Sequence, residues 1–265
     1  MDHRIVNQST SYFKTISKDR LKGQWVKAVI AAGIYTAIVG IVDFIIELFM
    51  QDMNTGLLSV GYFIIVYGAA TVGLYSYFVK VIRSEENGLG SSFEGFASFG
   101  RSFVLGFLML LFIVLWGLLL IIPGIIASFR YALAPMILRD RPDLTPLQCI
   151  KESKRLMKGN KANLLTLDLS FIGWYLLMYL PELAITLFAG PSLYNSPIVS
   201  IISLLTIILS LWVMAYMTSS VVVFYEEAIL PVPTSFNSNE QNGEEILSQT
   251  DVPKIEEKGA GSDEQ

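Results

Sequence analysis

The chain has 265 residues, 53% of them hydrophobic and only 16% charged, with a mean hydropathy of +0.54, one cysteine (Cys149) and one histidine (His3). Soluble domains average about 45–50% apolar and about 25% charged residues, and the apolar excess here gathers into long blocks, so membrane spans are expected. Single Cys and His residues exclude a disulfide framework, a Cys/His zinc site and a Cys–His catalytic pair.

The formal net charge of −4 averages two unlike parts. Residues 232–265 hold eight acids against Lys254 and Lys258, a net −6, and the other 231 residues carry 17 bases and 15 acids, a net +2. The acidic stretch is rich in Ser, Asn, Glu, Gln, Gly and Pro. Residues 231–265 are therefore predicted to be a disordered cytoplasmic tail.

In chain order, residues 1–24 carry Arg4, Lys14, Lys18, Arg20 and Lys22, interleaved with Tyr12, Phe13, Ile16 and Leu21. This reads as a cytoplasmic amphipathic segment. Apolar blocks follow at about Trp25–Met50, Leu57–Val81, Phe103–Leu138, Asn163–Ala189 and Pro197–Tyr225. Each exceeds the roughly 20 residues that cross about 30 Å of hydrocarbon as a helix. Backbone polar groups in lipid must be satisfied internally, which makes these blocks helices. The first is too long for the apolar region of a signal peptide and reads as an uncleaved anchor.

The third block has 36 residues with Pro123–Gly124 near its middle. Lys and Arg concentrate in cytoplasmic loops. The N-terminus is basic, and so is the 139–162 segment, with Arg139, Arg141, Lys151, Lys154, Arg155, Lys158 and Lys161. An even number of crossings between residues 103 and 139 keeps both inside, which makes Pro123–Gly124 the outer turn of a hairpin. The alternative, one helix kinked at Pro123, leaves five spans and puts one basic segment outside. The expected fold is an all-α polytopic membrane bundle over residues 25–230. It has six transmembrane helices, the third and fourth forming the Pro-Gly hairpin, and both termini cytoplasmic at the plasma membrane.

"DLTPLQCIKESKRLMKGNK" is marked as a helix over 145–158. Thr145 is the N-cap, Pro146 the first residue, Gln148 the capping-box partner and Gly159 the C-cap. At 100° per residue Cys149, Ile150, Ser153, Leu156 and Met157 share one face. Lys151, Lys154, Arg155 and Lys158 share the other. That face suits anionic lipid of the inner leaflet, or serves only to set topology.

Ionisable residues inside spans are the remaining candidates. Arg130 with Asp168 is the possible intramembrane pair, or Arg130 snorkels inward. Asp43, Glu47 and Glu182 reach the outer interface, or form an acidic mouth suited to a cation or a cationic peptide. Small residues such as Gly33, Gly40, Gly68, Ala69, Ala70 and Gly73 suit close helix packing. No phosphate loop, G-x-S-x-G or H-E-x-x-H is present, and no metal or cofactor is expected.

"LWGLLLIIPGIIASFRYALAPMIL" followed by "SKRLMKGNKANLLTLDLSFIGW" resembles the bacterial integral-membrane family called domain of unknown function 975, common in Gram-positive bacteria. Leu21–Trp25 (L-K-G-x-W) and the Phe224–Tyr225 pair fit it too. The resemblance covers about residues 12–230. Arg139-Asp140-Arg141-Pro142 departs from the family pattern, and the family is distantly similar to the membrane portion of some glycerophosphodiester phosphodiesterases. It implies a multi-span plasma-membrane protein with no established activity. The function expected is a non-catalytic scaffold or sensor binding lipids or other membrane proteins, with envelope stress as one setting. A transporter or permease component for a small or cationic substrate is the alternative, and a lipid-modifying enzyme the third.

Overall fold

The computed structural model describes residues 5–49, 56–188 and 196–229, and all regular structure among them is helical. The predicted acidic tail and the outer acidic cluster of Asp43, Glu47 and Glu182 fall on backbone or side chains outside the described residues. The helices are α1 (Thr10–Leu21), α2 (Trp25–Phe49), α3 (Gly56–Ile82), a 3-10 turn (Leu89–Phe93), α4 (Glu94–Ala97), α5 (Phe99–Leu119), α6 (Ile121–Tyr131), α7 (Ala134–Asp140), α8 (Pro146–Leu156), α9 (Lys161–Phe188) and α10 (Pro197–Ile229).

Five stretches are long and apolar enough to cross a membrane: Gly56–Ile82, Phe99–Leu119, Ile121–Asp140, Lys161–Ile185 and Val199–Ile229. A sixth enters with α2, which meets α1 at a 104° bend. The protein is thus a helical membrane protein with five to six apolar spans.

Exposure divides the bundle into two zones. Large aliphatic side chains stay exposed along the first halves of α3 and α10, on α9, and around the α5–α6 junction, as at Leu57, Leu118, Leu176 and Ile201. In water that much exposed apolar surface is unstable, and in lipid it is solvated. The second halves of α3 and α10 are instead buried, together with most of α7 and one face each of α1 and α8. Phe13, Tyr77, Phe78, Leu133, Ile137, Ile150 and Phe224 fill this core.

Small residues set the closest approaches. A Cβ on Gly68 would lie 2.1 Å from the Ser102 carbonyl oxygen of α5, and one on Gly73 would lie 2.0 Å from that of Ser92. The stripe that contains Gly68, Ala69, Ala70 and Gly73 does bring helix backbones together, as its sequence suggested. Gly33 and Gly40 do not: Gly33 meets only a leucine methyl and Gly40 meets nothing within 4 Å.

The third apolar block does divide in two, but not at the predicted residues. Leu120 takes an extended conformation (φ −162°, ψ 142°) between α5 and α6, while Pro123 and Gly124 lie inside the first turn of α6. The reason is local. The first N–H groups of a helix have no intrahelical acceptor, so a proline there costs no bond. Gly124 then serves packing, since its Cβ would fall 2.8 Å from the Gly117 Cα of α5.

A second break follows at Ala132–Leu133. Pro135 near the start of α7 has no N–H to donate to the Tyr131 carbonyl, which favours the interruption of the helix here. The buried Ser153 of α8 closes the gap. Its Oγ accepts the Leu133 N–H at 3.3 Å and donates to the Arg130 carbonyl at 2.9 Å.

Candidate functional site at the charged end of the bundle

The ends of α3, α7 and α10 bring a charged cluster together. Arg83, just past α3, donates from Nη1 to Asp140 Oδ1 at 3.0 Å and from Nη2 to Oδ2 at 2.5 Å, a bidentate pair. Its Nε donates to Glu226 Oε1 at 3.0 Å. Arg139 donates to Asp140 Oδ1 and to Glu85 Oε2, each at 2.9 Å, and the Tyr225 hydroxyl donates to Asp140 Oδ2 at 2.9 Å. Lys80 extends the network to Glu94 and Ser91.

Asp140 therefore accepts four bonds, about the full capacity of a carboxylate. Burial works against the Arg83 charge, but the Asp140 and Glu226 carboxylates outweigh it and hold its pKa above the ordinary arginine value. Ser84 shapes the corner. It adopts a left-handed conformation (φ 57°), and its hydroxyl accepts from Arg20 of α1 at 2.6 Å. The arrangement is a closed clamp of opposite charges that ties helix ends together. Sequence reasoning saw Arg139 as a topology signal and gave Asp140 and Glu226 no role. Their partners lie 57 and 143 residues away in the chain, and spacing alone carries no such signal.

The predicted helix at 145–158 forms as α8. Its capping box is complete: Thr145 Oγ1 accepts the Gln148 N–H and Gln148 Oε1 accepts the Thr145 N–H. Cys149, Ile150, Ser153, Leu156 and Met157 are all buried, and Lys151, Lys154, Arg155 and Lys158 are all exposed. The apolar face, however, packs on α5, α6 and α7, so it does not dip into lipid. Arg155 is bonded to Glu152 through two nitrogens, and Lys154 Nζ sits 5.4 Å from the Tyr131 ring centroid. Burial pushes the Cys149 thiol pKa up.

Arg130 and Asp168 are not joined by any ion pair or hydrogen bond among the described residues. The Arg130 contact that matters is its backbone carbonyl, held by Ser153. Asp168 has one carboxylate oxygen, Oδ1, buried with no hydrogen-bond partner. An apolar groove of about 290 Å³ runs further along α9 and α10, lined by Trp174, Met178, Pro181, Leu205 and Trp212 among others. Among the described residues no three His, Cys, Asp or Glu side chains are grouped to hold a metal.

The family described as protein of unknown function (DUF975) matches residues 7–127 and 118–229, which together span the whole helical part. The chain belongs to the DUF975 family. No curated protein matches this DUF975 chain, and no solved structure matches it. Asp140, the last residue of α7, is the hub of the clamp.

Proposed function

We propose that this protein is a non-catalytic scaffold or sensor of the plasma membrane, binding anionic lipids of the inner leaflet or other membrane proteins. The observation that carries the reading is the division of labour on α8. Its apolar face is used up by packing, while Lys151, Lys154, Arg155 and Lys158 stay exposed beside lipid-facing spans. A basic surface near an anionic leaflet contributes about 1 kcal/mol per Lys or Arg. The reading includes six spans with both termini cytoplasmic, the α5–α6 junction outside, and the charged clamp at the inner ends of α3, α7 and α10. Purification in native lipid, followed by mass spectrometry of what co-purifies, tests it. Enrichment of anionic lipid or of a defined membrane partner supports it, and recovery of neither overturns it.

A transporter component is the second reading, favoured by one observation. Asp168, inside the Lys161–Ile185 span, keeps a buried carboxylate oxygen without a partner, and intramembrane acids often mark ion or proton pathways. Proteoliposomes loaded with a pH dye test this reading. Proton or cation flux that is lost in Asp168→Asn supports it, and no flux in the wild type removes it.

A further inference from the structure

Two separate segments of the chain align at a spacing of 136, with Ser17, Lys18, Lys22 and Gly23 matching Ser153, Lys154, Lys158 and Gly159. The α1–α2 elbow and the α8–α9 elbow are built alike. Ser9 and Thr145 are the N-caps, and their side-chain oxygens accept the N–H of Tyr12 and Gln148 at 3.3 and 3.4 Å. Phe13 and Cys149, Ser17 and Ser153, Leu21 and Met157 are buried at matched positions. Gly23 and Gly159 both take left-handed φ, +75° and +83°, where a side chain would be strained. The turn bonds match as well. Lys22 and Lys158 donate to Asp19 and Arg155, Gln24 and Asn160 to Leu21 and Met157, and Ala28 and Leu164 to Gln24 and Asn160. Each elbow opens a long apolar helix, and each is followed by a longer one, α3 or α10, whose second half is buried. The chain therefore contains two copies of one elbow–helix–helix unit, with α4 to α7 between them.

The exposed faces of the two elbows have diverged. Tyr12 matches Gln148, Thr15 matches Lys151, and Asp19 matches Arg155. Packing explains why the buried positions agree, and positive φ explains the glycines. Neither explains the exposed positions that are identical: Lys18 with Lys154, and Lys22 with Lys158. The 104° bend lays α1 across the start of α2, whose Val26 is 74% exposed, and the second elbow opens into α9 with exposed Leu165 and Leu169. A polar helix meeting an apolar exposed helix at a sharp bend marks the water–hydrocarbon boundary.

We infer that the two elbows are a matched pair of sites for the headgroups of anionic lipids, Lys18 and Lys22 gripping one and Lys154 and Lys158 the other. The inference rests on the lipid-binding reading above and adds its location and number. Each headgroup phosphate lies beside two ammonium groups one helical turn apart. In the first elbow Lys22 Nζ lies 2.7 Å from Asp19 Oδ1, so a headgroup phosphate there competes with that exposed carboxylate.

The test uses the full chain in detergent with phosphatidylglycerol and phosphatidylcholine as probes, with bound lipids counted by native mass spectrometry. The wild type is expected to retain two phosphatidylglycerol molecules in preference to phosphatidylcholine. K18Q/K22Q and K154Q/K158Q should each retain one, with about 30-fold weaker binding at the altered elbow, and K18R/K22R should retain both. Unchanged retention in the glutamine variants overturns the elbow sites and leaves the lipid-binding reading standing. Absence of any phosphatidylglycerol preference in the wild type overturns both. Photo-crosslinking of the wild type with a photoactivatable phosphatidylglycerol reads the sites without any substitution. Adducts must fall on the peptides around Lys18–Lys22 and Lys154–Lys158, and adducts confined to other helices sink the inference.

Discussion

Arg83 grips Asp140 with two parallel N–H···O bonds, and that one contact locks the end of α3 to the end of α7. Both side chains are mostly buried, at 26% and 15% exposure. Removing either partner leaves the other charge poorly solvated. Asp140→Asn or Arg83→Met should each cost about 1–3 kcal/mol. The double variant should cost less than the sum, because neither member of the pair is left facing a vacated partner. Thermal unfolding of the detergent-purified variants reads the difference. Strict additivity would show that the two residues do not act as a pair.

Ser17 and Ser153 occupy matched positions and should respond differently to the same change. Ser17 Oγ donates to the Phe13 carbonyl within its own helix. Ser153 Oγ satisfies an N–H and a carbonyl at the α6–α7 break. Ser153→Ala should cost about 1–3 kcal/mol through unsatisfied buried groups, and Ser17→Ala about 1 kcal/mol or less. Equal losses in thermal unfolding would argue against the stitch.

Glycines on α3 should show opposite signs. Gly68→Ala drives a Cβ to within 2.1 Å of the Ser102 oxygen, a backbone atom that cannot swing aside. It should destabilise by about 1–3 kcal/mol. Gly61 meets nothing within 4 Å, so Gly61→Ala should be neutral or stabilise by about 0.5–1 kcal/mol through helix propensity. Melting temperatures of the two single variants check both signs.

The Cys149 thiol is buried and its pKa raised. Alkylation by a maleimide at neutral pH should be slow in the folded protein and fast after denaturation, because the thiolate is the reactive form. The sign for stability follows. The unfolded chain ionises first as pH rises past the ordinary thiol range of about 8.5, so this contribution is intact below that pH and is lost through the folded-state pKa. Cys149→Ser should flatten that alkaline loss.

A topology reporter bears on the six-span reading. A single cysteine introduced at Leu120 or Pro123 should label from outside the cell, and one at Asp143 only after permeabilisation. Labelling of both from the same side would remove the hairpin.

The sequence by itself determined that the chain is a helical membrane protein built from long apolar blocks, because about 20 consecutive apolar residues have no other stable state in lipid. It also determined α8 down to its caps and faces, since capping and 3.6-residue periodicity are local properties. Two things needed the tertiary structure. Pro123–Gly124 read as the turn, but Leu120 breaks the chain, because a proline in the first helical turn is harmless and Gly124 is held by its packing on Gly117. No Arg130–Asp168 pair is found among the described residues, where the ion pairs gather instead among Arg83, Arg139, Asp140 and Glu226. Pairing across 57 or 143 residues depends on which helix ends meet, and only the packing of α3, α7 and α10 decides that.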